Sequence, residues 1–311
     1  MRFVTYRHRD GERVGVLKEG AVHGLAKGVR LIDLLGDDGT RLHAAGDLAL
    51  RDPREVVPAE SVSLAPPIPQ PPAVRDFVTF EQHVSGTAAI AVADPAPPPL
   101  WYEIPTFYFS NPHSLIGATD DVPMPPGCRQ FDFELEVAAV IGREGRNLAP
   151  EAAAEHIVGY LVMNDWSARD LQWQEMQLHL GPAKGKDTAT TLGPALVTAD
   201  ELAGRRSGNS FDLAMTAAVN GSVVGTDVLS NMYWSFEEMV AYASRGTRVL
   251  PGDIIGSGTC GGGCLAELWG RNGLDSAPPL SAGDEVTLTV ELLGRLSNRV
   301  IAGEPCHPLR P

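Results

Sequence analysis

The chain has 311 residues, 43% of them hydrophobic and 21% charged, with a formal charge of −14. That is enough chain for a sizeable core, as one large domain or a small one followed by a larger one. The acidic balance argues against a nucleic-acid partner, which calls for a basic patch, and no run of about 18 apolar residues is present to cross a membrane. Of the four cysteines, Cys128, Cys260, Cys264 and Cys306, Cys260 and Cys264 have the wrong spacing for a CxxC pair, and no second pair or nearby histidine completes a zinc site, so neither disulfides nor zinc is expected. Residues 1–6 hold no apolar signal-peptide core, and the expected compartment is the cytoplasm.

Residues 1–65 alternate short strand-like runs with Asp-Gly and Glu-Gly turns, the mark of antiparallel hairpins, and residues 31–35 suit a short helix. The stretch PPIPQPP at 66–72 stiffens the chain like a linker. The boundary is placed there, with a small strand-rich domain at 1–68 and a catalytic domain at 69–311. Asp76, Glu81 and His83 follow at once, and helical spacing would put Asp76 and His83 on one face. The small-residue run 85–93 and the loop 94–99 suit a mobile lid. The aromatic stretch 101–109 lines a cavity or packs into a core.

FDFELEVAAVIG, at 131–142, has the composition of a buried strand with two carboxylates in its middle. On one strand Glu134 and Glu136 would share a face about 7 Å apart. Either that face is solvated, or a cation such as a hard divalent metal neutralises the pair. A short helix at 150–157 and a second buried strand from 157 lead to Asp165, and 166–178 is an amphipathic helix. The Gly-, Thr- and Lys-rich loop 181–194 lacks P-loop order. Strands then resume around the Asn220-Gly221 turn, and a helix at 235–244 opens on a Ser235…Glu238 capping box.

Four motifs in order, FDFELEVAAVIG, NDWSARDLQ, the GKxxxTTxGP pattern around Lys186, and LPGDIIGSGT, resemble the fumarylacetoacetate hydrolase family over about residues 74–300. The resemblance implies an α+β, mostly β fold: a small N-terminal antiparallel domain, then a mixed β-roll catalytic domain. It implies a divalent metal, most often Mg²⁺ with Ca²⁺ or Mn²⁺ as alternatives, held by Glu134, Glu136 and Asp165 with Asp76 as a closer or more distant ligand. It further implies His83 as the base that activates water, Lys186 and Gln172 as stabilisers of an enolate, and Tyr108, Thr190, Gly258 and Thr259 as substrate contacts. Glu267 takes the place of the histidine's partner, with Glu81 a rival candidate. The expected reaction is hydrolysis of a carbon–carbon bond in a 1,3-dicarbonyl acid, with decarboxylation or isomerisation as the alternative, in a homodimer. Two departures bear on substrate: no arginine follows His83 in residues 84–90, and Asn111-Pro112 stands where Lys-Pro is frequent. Both favour a less acidic, more apolar diketone.

Overall fold

The computed structural model describes residues 1–90, 95–308 and 310. Strands β1 (Arg2–His8), β2 (Gly11–Lys18) and β3 (Ala21–Gly24) form the expected antiparallel hairpins. Helix α1 (Thr40–Arg51) was not among the predicted elements; its buried face is Leu42, Gly46 and Ala49, two of them too small to register as an apolar stripe. After β4 (Val56–Pro58) and the prolines come β5 (Val74–Phe77), α2 (Glu81–Ala88), β6 (Phe107–Ser110), β7 (Leu135–Ile141), β8 (Ile157–Asp165), α3 (Arg169–Met176) and β9 (Thr190–Thr198). The hairpin β10 (Ala214–Val219) and β11 (Ser222–Val228) leads to α4 (Phe236–Ala243), which starts on the Ser235–Glu238 capping box. Then follow β12 (Ile254–Gly256), α5 (Leu265–Asn272) and the hairpin β13 (Glu285–Val290) and β14 (Gly294–Ile301).

One 12-stranded mixed sheet dominates, in the order β4-β3-β2-β1-β9-β8-β7-β12-β5-β6 with two short strands alongside. β1 pairs antiparallel with β9, Arg2 opposite Val197, so the N-terminal hairpins continue the sheet that bears the second segment. Phe3, Leu31 and Leu42 share a core cluster with Val140, Leu161 and Leu192 across that junction. A five-stranded sheet, β11-β10-β13-β14 and Val122–Pro123, packs beside it.

Every residue of β7 is buried, and the reason is visible in its two faces. Leu135, Val137, Ala139 and Ile141 enter one apolar cluster, while Ala138 and Val140 enter the other. A strand covered on both sides has no solvated face on which to place a charge.

Two expectations need correction. FDFELEVAAVIG is not one strand: Phe131–Asp132 pairs with Ser167–Ala168, Phe133 and Glu134 lie outside any strand, and only then does β7 begin. Glu134 therefore stands before the strand rather than beside Glu136 on it. Nor do Asp76 and His83 share a helix face, because Asp76 lies in β5 and His83 in α2. Of the expected lid, residues 85–88 belong to α2, and residues 91–94 fall outside the described residues.

Candidate active site

The period-two rule places the acids. Asp165 follows Leu161 and Met163 on one face of β8, Glu136 precedes Ala138 and Val140 on β7, and Asp76 follows Val74 on β5, and those apolar residues all enter the same core cluster. Registration aligns them: Glu136 opposes Met163, and Gly256 of β12 lies between Ala138 and Asp76. Three neighbouring strands and one spacer strand thus end one face of the core in carboxylates. Gly256 is required there, since a Cβ would come 2.3 Å from Asp76 Oδ1. Glu134 joins from the residue just before β7, its N–H donating to Asn164 Oδ1 at 2.9 Å. One oxygen each of Asp76, Glu134 and Glu136 fall within 4.8 Å of one another.

Lys186, itself buried, donates to Asp165 Oδ2 at 2.7 Å and to Glu134. Arg169 Nη2 lies 2.7 Å from Glu134 Oε1. Burial opposes ionisation of Glu134, but Arg169, Lys186 and His83 outweigh it and hold the carboxyl well below its usual range. The other acids lack such cover. Burial, then the charge of Asp165, raises Asp76 to about 7, and burial with Asp76 and Glu134 raises Glu136 well above its ordinary value. Asp165 is also raised, by burial against the pull of Lys186. Tyr108, opposite Asp76 on β6, donates to Asp76 Oδ2 at 2.8 Å and to Asp165.

Whether this set suits a metal is decided by its own atoms. Glu136 Oε2 and Asp165 Oδ1 are buried with no hydrogen-bond partner. Four carboxylates face two cations, and every donor in the set is oxygen. Such an arrangement fits a hard divalent ion. Glu134, Glu136, Asp165 and Asp76 are the residues that would hold it.

Beside it stands a second constellation. His83, in the first turn of α2, is hydrogen-bonded through Nδ1 to Glu267 Oε1 at 3.0 Å, and its Nε2 lies 3.9 Å from Glu134 Oε1. The exposed Glu81 is not the partner. Glycines bring the two helices together: a Cβ on Gly270 of α5 would come 2.0 Å from the Gly86 carbonyl of α2, and one on Gly86 would come 2.9 Å from Glu267 Cγ. Glu267 is fully buried, its Oε2 accepting from Gly262 N at 2.8 Å and from Arg271.

The remaining expected residues divide. Thr259 Oγ1 lies 3.4 Å from Glu136 Oε1, and Gln172 Oε1 accepts from Arg169 Nη1 at 3.2 Å; both line the cavity. Gly258 sits behind Asp76, donating to Oδ1 at 3.3 Å with φ +76°, where a side chain would strike the Phe77 carbonyl. Thr190, opposite Asp165, packs against Ser110 in the wall behind the acids. Arg169 and Asp132 were missed. Asp132 accepts from Arg169 Nε at 2.9 Å and from the first amides of α5, Leu265 at 2.8 Å and Ala266 at 3.0 Å. A signal existed: a cation in the first turn of α3 opposes the helix dipole and needs an acid elsewhere.

All of this opens onto a cavity of about 580 Å³. Its wall sets Asp76, His83, Glu134, Glu136 and Lys186 against an apolar side that includes Val84, Ile90, Phe107, Trp173 and Met176. Comparison with known proteins then gives a direct answer. The family model described as fumarylacetoacetate (FAA) hydrolase C-terminal matches residues 73–301. The chain belongs to the fumarylacetoacetate hydrolase family.

Relatives within the family differ in reaction. A human protein named oxaloacetate tautomerase FAHD2A, mitochondrial, is 34% identical over 199 residues, which cover 63% of this chain and 59% of that one. The match thus spans about three-fifths of that relative's length. The fumarylacetoacetate hydrolase of Exiguobacterium antarcticum superposes with a TM-score of 0.75 at 25% identity, covering 97% of this chain and 99% of that one. Maleylpyruvate hydrolase of Sphingobium sp. SYK-6, solved with manganese(II) and pyruvate, shares the fold at TM-score 0.72 and 23% identity, covering 98% of this chain and 100% of that one. Among the described residues, no helix is long and apolar enough to cross a membrane.

Proposed function

We propose that the chain is a divalent-metal-dependent hydrolase that cleaves a carbon–carbon bond in a 1,3-dicarbonyl acid of the acylpyruvate or β-diketone type. The observation behind this reading is that His83, hydrogen-bonded to Glu267, shares one cavity wall with three of the four carboxylates, Asp76, Glu134 and Glu136. A Mg²⁺ or Mn²⁺ ion held by Glu134, Glu136, Asp165 and Asp76 would supply Lewis acidity to the two substrate oxygens. Glu267 accepts the Nδ1–H of His83, which leaves the Nε2 lone pair on the side of Glu134. There His83 takes a proton from water as the hydroxide oxygen bonds to the carbonyl carbon. The bond from that carbon to the central methylene breaks, and its electron pair becomes an enolate. Lys186 and the Gln172 amide N–H, left free because Gln172 Oε1 accepts from Arg169, stabilise the enolate oxygen. Protonation of the enolate carbon completes a carboxylic acid and a ketone.

The apolar side of the cavity supports an apolar acyl group on the substrate, and assembly as a homodimer belongs to the same proposal. A second reading, proton transfer between the enol and keto forms of an oxo-acid, is favoured by the human relative named as a tautomerase. Incubation with acylpyruvates, β-diketones and oxo-diacids, with and without Mn²⁺ or Mg²⁺, separates the two by mass spectrometry. Two fragments whose masses sum to substrate plus water support the hydrolase. Unchanged mass with solvent-deuterium uptake supports the tautomerase, and loss of CO₂ would sink both. Retention of dicarbonyl cleavage by His83→Ala would also remove the hydrolytic mechanism.

A further inference from the structure

The sequence holds no zinc spacing, but the fold assembles a zinc-like donor set from distant positions. Cys264, the buried residue that precedes α5, has its Sγ 3.7 Å from His83 Nδ1 and 3.9 Å from Glu267 Oε1. The His83 and Glu267 atoms are themselves 3.0 Å apart. Ligands at about 2.0–2.3 Å from a tetrahedral zinc stand roughly 3.3–3.7 Å from one another. The three atoms therefore already approximate one face of such a tetrahedron. Their chemistry also differs from that of the neighbouring cluster: four carboxylates suit a hard cation, whereas imidazole, thiolate and carboxylate together suit zinc or cadmium.

We infer that His83, Cys264 and Glu267 form an inhibitory site for zinc or cadmium, separate from the carboxylate cluster. Binding takes the thiolate of Cys264 and so releases its proton to solvent. It also takes the Nδ1 lone pair of His83, and the single proton of the neutral ring moves to Nε2. Nε2 then donates where it formerly accepted, and it no longer takes a proton from water. Glu267 exchanges the Nδ1–H bond for the ion through Oε1, while Oε2 stays fixed by Gly262. The ion thus disables the base without displacing the catalytic metal. The inhibition rests on the role proposed above for His83; the binding does not.

The test uses the full chain loaded with excess Mn²⁺ and titrated with Cd²⁺ and, separately, Zn²⁺. The ultraviolet sulfur-to-cadmium band is expected to saturate at one ion per chain, to persist in Cys260→Ser and to vanish in Cys264→Ser. Turnover should fall in step with the band, further Mn²⁺ should not restore it, and one proton should appear per ion. In Cys264→Ser the half-inhibitory zinc concentration should rise at least about tenfold. His83→Ala provides a second binding variant, in which the cadmium band should weaken comparably. No band in the wild type, a band that survives Cys264→Ser, or equal zinc inhibition of that variant would each overturn the site. A saturated band with full turnover would instead leave the ion bound and refute the inhibitory claim.

Discussion

Two buried acids, Asp132 and Glu136, lie four residues apart and are equally inaccessible, yet their surroundings are opposite. Both oxygens of Asp132 are filled: Oδ1 accepts from Phe133 N and Leu265 N, each at 2.8 Å, and Oδ2 from Ala266 N and Arg169 Nε. Glu136 has a long contact to Thr259 on one oxygen and nothing on the other. The first acid is self-sufficient and holds α5 and Arg169 in place. The second is arranged for something the protein does not itself supply. Burial of an acid alone therefore does not mark chemistry; among these two, the buried oxygen left without a hydrogen-bond partner does.

The comparison is broken most severely from the Asp132 side. Asp132→Ala leaves Arg169 without its acid and uncovers two amides at the start of α5, and should cost about 3–5 kcal/mol of stability in denaturant unfolding, metal present or not. Glu136→Gln should behave in the reverse way. The metal-free protein should melt higher at neutral pH because folding no longer has to protonate a buried carboxyl, while Mn²⁺-dependent turnover falls at least about 100-fold, the upper end of what even an outer-shell change costs. Equal destabilisation by both substitutions would erase the distinction.

Acidity sharpens it further. Asp76 is raised to about 7 by burial and by Asp165. The folded state then binds the proton more tightly than the unfolded chain, so this stabilisation is full at low pH and is lost as pH rises through about 7. Metal-free protein should accordingly lose thermal stability between about pH 4 and pH 7, and the upward shift in melting given by Mn²⁺ should grow over that interval. A shift that shrinks with pH would contradict the assignment of the cluster. The partner of His83 supplies the last contrast, and its rival the smallest effect. Glu267→Gln should lower turnover by about 10²–10⁴-fold, whereas Glu81→Gln, on the exposed first turn of α2, should change stability by less than about 0.5 kcal/mol and turnover hardly at all.

Much of this was legible beforehand, unevenly. Lys186, Asp165 and Glu136 were placed together by their order and motifs, and the Ser235–Glu238 box named the start of α4 directly, since capping is local chemistry. What failed was geometry that depends on distant partners. Glu134 looked like a strand residue because its neighbours are apolar, but the two-residue pairing of Phe131–Asp132 with Ser167–Ala168 ends the first strand before it. Glu267, 184 residues from His83, was named through the family motif after the SGT loop and is the residue found beside it, but no local pattern separates it from Glu81. Arg169 lay within a recognised motif and still escaped, because its partner Asp132 is 37 residues away.

The pairing of β1 with β9, at Arg2 with Val197 and Phe3 with Leu196, has a consequence beyond architecture. The segment matched by the family model begins at residue 73, after the strand that covers this side of β9. Severed there, the remainder would present unpaired backbone donors and acceptors next to Leu192 and Leu196, now stripped of Phe3. Such an edge is a template on which a second molecule adds its own strand. The opening hairpins thus serve as the chain's protection against self-association into aggregates, and a fragment cut at the family boundary would be the form most prone to precipitate.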